Sequence, residues 1–171
     1  MRYNIIYADP PWKYAFSQSK SRSLDNQYPQ MDIKDIKKLP VSDMSENDAV
    51  LILWVTFPKL LEGIETLKAW GFTYTTMLFT WVKKYKSGKN FFGMGYYTRS
   101  NTEICLLGKK GIGIPALNHS ISCVIESEWT KHSQKPDIVR DNIVTLFGDL
   151  PRIELFARKK TEGWDVWGNE V

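Results

Sequence analysis

Asp9, Pro10, Pro11 and Trp12 follow an apolar run made of Tyr3, Ile5, Ile6, Tyr7 and Ala8. Such a run reads as a buried strand that delivers a site at its carboxyl end, where open α/β sheets bind their ligands. Neither proline has a backbone N–H, and both have fixed φ angles. A residue before proline is pushed towards extended backbone, which holds Asp9 extended. The carbonyls around Pro10 gain fixed directions and meet no competing donor from the prolines themselves. Trp12 adds a flat ring. One carboxylate, oriented carbonyls and an aromatic face make a receptor for a planar ring bearing an amino group. The bland alternative is a rigid turn with a tryptophan closed over the core.

A second chemical feature is the insert at 83–99. Lys83, Lys84, Lys86, Lys89 and Arg99 alternate there with Tyr85, Phe91, Phe92, Tyr96 and Tyr97, and Gly88, Gly93 and Gly95 punctuate it. Cations suit phosphates and rings suit bases; the alternative is a solvated charged loop. His119 and His132 have no metal-ligand spacing with Cys105 or Cys123, so the sequence predicts no metal site. Both cysteines lie in apolar stretches and read as small reduced core residues.

The elements that must position these residues alternate between strand and helix. Strands are predicted over the first residues and at 49–55, 72–82, 103–107, 152–156 and 163–168. A short helix containing Ile33, Ile36 and Leu39 follows Asp32, and Pro40 stops it. Pro58 opens a helix with Leu60, Leu61, Ile64, Leu67 and Trp70 at helical spacing, ended by Gly71. Lys135, Pro136 and Asp137 open another, which runs to Gly148. The stretch from about 108 to 126 has no clear pattern, and 17–26 reads as a polar loop holding Lys20 and Arg22. This alternation implies an α/β fold with a mostly parallel sheet covered by helices on both faces.

The chain has 171 residues, of which 43% are hydrophobic and 13% aromatic, enough for one well-filled core and against disorder. We therefore expect a single domain over 1–171. A net charge of +4 permits nucleic-acid binding. There is no basic-plus-apolar leader and no apolar run long enough to span a bilayer, so a cytoplasmic protein with no membrane partner is expected.

Several segments coincide in order. They are Tyr7-Ala8-Asp9-Pro10-Pro11-Trp12, Leu53-Trp54-Val55-Thr56, Trp81-Val82-Lys83, Asn101-Thr102-Glu103-Ile104-Cys105-Leu106-Leu107-Gly108, His132-Ser133-Gln134-Lys135-Pro136-Asp137, Arg152-Ile153-Glu154-Leu155-Phe156-Ala157-Arg158 and Trp167-Gly168-Asn169. Together they resemble the adenine-N6 methyltransferase family that includes the eukaryotic messenger-RNA adenosine methyltransferase and its bacterial and phage relatives. The resemblance implies a Rossmann-like methyltransferase fold with circularly permuted motif order, the catalytic strand first and the donor-carrying strand last. It implies S-adenosyl-L-methionine as cofactor and nucleic acid as partner, DNA favoured over RNA, with a homo- or heterodimer as a further possibility. The competing classes are a catalytically inactive partner subunit and a cytosine amino methyltransferase.

Residue by residue, the resemblance implies that Asp9 and the Pro10 carbonyl hold the adenine amino group, with Pro11 shaping the turn and Trp12 stacking on the base. Tyr28 matches a position near the acceptor base, or is a surface aromatic. Lys135 matches the lysine that meets the donor's carboxylate. Arg158 and Asn169 match ribose-binding positions. Lys160 and Thr161 stand where relatives often carry His and Asn. The chain begins almost on its first strand, so either Asn169, Glu170 or a backbone group is expected to meet the donor's adenine, or that end of the site is looser. Glu154 is either a donor contact or a buried partner for a lysine. Trp54 and Thr56 read as core packing and a helix cap.

Overall fold

The computed structural model describes residues 1–14, 30–95, 97–130, 134–168 and 171. All seven strands join one sheet: β1 (Tyr3–Ala8), β2 (Ser45–Val55), β3 (Thr73–Lys84), β4 (Thr102–Lys110), β5 (Val124–Glu128), β6 (Arg152–Leu155) and β7 (Asp165–Trp167). Their spatial order is β5-β3-β4-β2-β1-β6-β7. β4 is antiparallel to its neighbours β2 and β3, and the other four pairings are parallel. A mostly parallel sheet was expected and is found.

β1 and the central part of β2 are apolar on both faces because both faces are covered, as strands inside a parallel sheet must be. Ile6, Ala8, Leu51, Leu53 and Val55 point to one side, with Leu67 from α3 (Leu60–Ala69) and Trp70 just after it. Ile5, Tyr7, Val50, Ile52 and Trp54 point to the other, with Val139, Ile143 and Leu146 from α4 (Ile138–Phe147). Helices therefore cover both faces. Two short helices, α1 (Ile33–Lys37) and α2 (Val41–Met44), add Ile36 and Val41 to the α3 side. Gly148 ends α4 with φ 88°, backbone that a side chain would strain, while its N–H donates to the Val144 carbonyl.

The structure adds one strand the sequence did not signal. β5 begins inside the stretch expected to be unpatterned and runs just past it; only Ile125 of its five residues is buried, and the strand exists because β3 offers it a parallel edge. Pro58 opens a single 3-10 turn (Phe57–Lys59) ahead of α3 rather than α3 itself. Cys105 is buried as expected, but Cys123 is exposed, since it lies just before an edge strand rather than in the core. Among the described residues no helix is long and apolar enough to cross a membrane.

Candidate active site

Parallel pairing of β1 with β2 and β6 brings their carboxyl ends to one edge: Ala8 pairs with Leu53 on one side and Leu155 on the other. β4 runs the opposite way, so its first residues reach the same edge, with Trp81 facing Glu103. Side-chain alternation then decides which groups meet. Asp9 continues the Ile5–Tyr7 side of β1, Glu103 the Cys105–Leu107 side of β4, and Lys83 the Phe79–Trp81 side of β3. All three face the side on which Lys135 approaches, just before α4.

There they form a chain of alternating charge. Lys135 Nζ donates to Asp9 Oδ2 at 2.9 Å and lies 3.1 Å from Glu103 Oε2. Lys83 donates to the other Glu103 oxygen. The Lys135 side chain is 7% exposed, so these charges are largely out of water. Burial alone works against charge on Lys135, but Asp9 and Glu103 outweigh it and push its pKa up. Burial likewise opposes charge on Glu103, yet Lys135 and Lys83 hold its pKa below the ordinary value. Asp9 goes the other way: burial dominates and raises its pKa despite Lys135 and Arg158, and Glu103 adds to the rise. Beneath the cations lie two indoles. Lys135 Nζ stands 5.5 Å from the Trp54 ring and Lys83 Nζ 5.0 Å from the Trp81 ring, and the rings meet edge-on at 6.5 Å.

The turn after β1 differs from expectation in two ways. The Pro10 carbonyl accepts the Trp12 backbone N–H at 2.8 Å, and the Pro11 carbonyl accepts that of Met31 at 3.0 Å. The prolines offer no donor, but their neighbours do. Trp12 is 5% exposed, and its indole N–H donates to the Trp54 carbonyl at 3.0 Å. In this position the ring braces the Asp9 turn against β2 and shows almost no face to a base.

Beyond β6 the chain bends sharply. Phe156 has φ 63°, the single positive φ on a non-glycine residue among those described, and its ring meets Trp167 edge-on at 5.4 Å. Strain of this kind concentrates at functional sites. The backbone at Gly168 approaches Ala157 so closely that a Cβ would lie 2.3 Å from the Ala157 oxygen. Arg158 follows, near enough to act on Asp9. Lys160 is exposed and lines a shallow depression with Tyr3 and Trp164, and Tyr3 is at the opposite end of β1 from Asp9. Glu154 is a buried partner, but for an arginine rather than a lysine. Arg140 donates to both its oxygens, at 2.7 and 2.6 Å, so the Glu154 charge is met within the protein. Tyr28, Asn169 and Glu170, with Lys20, Arg22, Tyr96 and His132, lie outside the described residues.

The 83–99 insert is an arm folded on itself: Tyr85 N–H donates to Lys89, and Phe91 N–H to Lys83. Tyr85, Phe91 and Trp129 form an aromatic ladder with centroids 5.3 and 4.8 Å apart. Lys86, Lys89, Arg99, Phe92 and Tyr97 are exposed. Lys83 is turned inward to Glu103, and Lys84 pairs with Glu126 at 2.9 Å and Asn90 at 2.8 Å. The sequence reading missed Glu103 and Arg140. The available signal for Glu103 was a carboxylate opening an otherwise apolar strand; for Arg140, an arginine on the inward face of α4. Among the described residues no group of three or more His, Cys, Asp or Glu could hold a metal ion.

A parallel-dominated sheet covered on both faces, with an acidic turn and a buried lysine at one strand edge, is an α/β arrangement of the kind methyltransferases use. The chain matches the MT-A70 family over residues 3–170 and belongs to it. It is 34% identical to the type II methyltransferase M.MunI of a Mycoplasma species, over 99% of this chain and 78% of that protein. It is 28% identical to the human N(6)-adenine-specific methyltransferase METTL4 and to human METTL3, the N(6)-adenosine-methyltransferase catalytic subunit. Again 99% of this chain is matched, but only 37% and 28% of those longer proteins.

Proposed function

We propose that this chain transfers a methyl group from S-adenosyl-L-methionine to the N6 amino group of adenine in DNA. The observation that carries the reading is the buried contact between Asp9 and Lys135 at the carboxyl edge of β1. The donor set fits the cofactor. An ammonium has three N–H donors; Asp9 and Glu103 take two from Lys135, and the third suits the donor's carboxylate. Asp9 offers negative charge to a sulfonium, and Arg158 suits the ribose hydroxyls. Asn169 and Glu170 complete the proposed set. When bound, this cofactor supplies an already activated methyl group.

The protein then contributes alignment and electrostatics. The adenine amino lone pair is delocalised into the ring. A hydrogen bond from that amino group to Asp9 draws the nitrogen towards tetrahedral geometry and frees the lone pair for in-line attack. Asp9 Oδ2 is occupied by Lys135, so Oδ1 is the acceptor in this reading. The Pro10 carbonyl keeps one lone pair beyond the one Trp12 occupies. Because the amine becomes acidic as the methyl arrives, no strong base is required. The target base must leave any duplex to reach this edge, and the exposed Lys86, Lys89, Arg99 and Tyr97 are the proposed contacts to the strand.

DNA is favoured by the better match to M.MunI, in identity and in the share of that protein covered; RNA is the alternative suggested by the adenosine enzyme. The test is transfer of labelled methyl to DNA, RNA and free adenosine, followed by nucleoside analysis. N6-methyl-2′-deoxyadenosine is expected. Label in the ribonucleoside moves the substrate to RNA. Donor binding without transfer to any acceptor favours an inactive partner subunit.

A further inference from the structure

Lys83 is the arm's root. Its N–H donates to the Asn101 carbonyl, and its own carbonyl accepts the Phe91 N–H, both at 2.9 Å. Its side chain nevertheless leaves the arm and reaches Glu103, and the two side chains are only 14% and 12% exposed. Glu103 uses its second oxygen on Lys135. A carboxylate between two lysines, each standing over an indole, is a strut with little freedom. Lys135 cannot shift towards or away from Asp9 without stretching this strut.

We propose that Glu103 is a positioning residue for the methyl transfer of the preceding section. It fixes the Lys135 ammonium beside Asp9, and Lys83 fixes Glu103 in turn. Lys83 thus serves the chemistry at Asp9 and not the nucleic-acid backbone, although it belongs to a basic arm. The inference rests on the proposed function for what Asp9 does, but its electrostatic part stands without turnover.

The groups facing Asp9 set the signs. They are Lys135 from the segment before α4, Glu103 and the buried Cys105 thiol from β4, and Arg158 from the loop after β6, with Lys83 of β3 one step further through Glu103. Glu103 raises the Asp9 pKa. Removing its charge in Glu103→Gln lowers that pKa, so the acidic limb of the kcat profile moves to lower pH. Lys83→Met leaves the Glu103 charge less compensated, so the limb moves to higher pH. Both variants should lose kcat by up to about 10²-fold, the scale of a displaced reacting group, with KM for nucleic acid nearly unchanged.

The experiment is a pH–rate profile of both variants on the full chain, with thermal melts to establish folding. A carbon-13 titration of the Asp9 carboxyl in the free proteins reads the same two shifts in opposite directions. A salt titration of DNA binding completes it. Opposite shifts with an unchanged salt slope for Lys83→Met support the proposal. It is overturned if Asp9 titrates as in the parent in both variants. It is equally overturned if Lys83→Met keeps its kcat and flattens the salt slope by about one, the loss of one phosphate contact. A parent protein that methylates no nucleic acid would refute the proposed function, while the carboxyl titration would still decide the strut.

Discussion

Two buried ion clusters lie on the same side of the sheet, and they are built differently. Arg140 and Glu154 close on each other. The guanidinium donates to both carboxylate oxygens, Asp137 takes another of its N–H groups at 2.8 Å, and the planar fork fixes the geometry of the pair. The Asp9–Lys135–Glu103–Lys83 chain stays open. Its lysines are point charges that each present a single ammonium, and Lys135 meets Asp9 at Oδ2 and Glu103 at Oε2. A closed pair is suited to holding α4 against β6. An open one can accept a substrate group without first being broken. In the proposed reading, similar burial serves architecture in one place and chemistry in the other, and the fixed arginine fork against the lysine point charge separates them.

The sharpest way to break this comparison is Asp9→Asn. It should lower turnover by about 10²–10³-fold, the scale of losing one preorganised electrostatic contact, in a protein that still melts cooperatively. Near-parental methyl transfer would remove the proposed mechanism. Arg140→Ala should act on stability instead. Leaving Glu154 buried without its partner costs about 3–5 kcal/mol, a fall in Tm on the order of 10 °C for a chain of this size, read by calorimetry. Equal stability losses for Arg140→Ala and Lys135→Ala would erase the distinction between the clusters. Lys135→Ala should weaken donor binding by about 1.5–3 kcal/mol, a lost charge-assisted contact, measured by titration calorimetry without nucleic acid.

On the surface, Lys86→Ala with Lys89→Ala should weaken DNA binding across sequences. The pair should flatten the salt dependence by about two in slope and leave donor affinity unchanged. The smallest effect belongs to Asp9 again. Its folded-state pKa is raised, mainly by burial, so ionisation costs the fold stability, and that cost appears as pH rises from the ordinary carboxylate value through the raised one. Asp9→Asn should therefore melt a few degrees higher than the parent at neutral pH, and at the same temperature below the ordinary carboxylate range. A variant no more stable at neutral pH would show that Lys135 compensates the burial fully.

Much of the frame was legible because its signals are local. β1, β2 and β6 are continuous apolar runs, α3 and α4 show helical spacing, and Asp9 is marked by its prolines. What was hidden depends on partners. β5 has one buried residue and gains its identity from β3. Trp12 looked free because nothing local shows that the Trp54 carbonyl would take its N–H. Lys83 looked like a phosphate contact because its neighbours are cations and rings. Only the antiparallel course of β4 brings Glu103 to it. The strut combines one residue from each of four segments, and spacing within any one of them carries no trace of the others.

The placement of β1 between β2 and β6 also bears on synthesis. β1, which leads into Asp9, is made well over a hundred residues before Arg152–Leu155, one of its two flanks. At ordinary elongation rates of about 5–20 residues per second, that flank stays open for on the order of ten seconds. During that time the nascent chain carries an unsatisfied, apolar strand edge. Assembly of the edge at Asp9 must therefore await synthesis of Arg152–Leu155, and a stall or truncation before Arg152 would leave a chain prone to pairing with others.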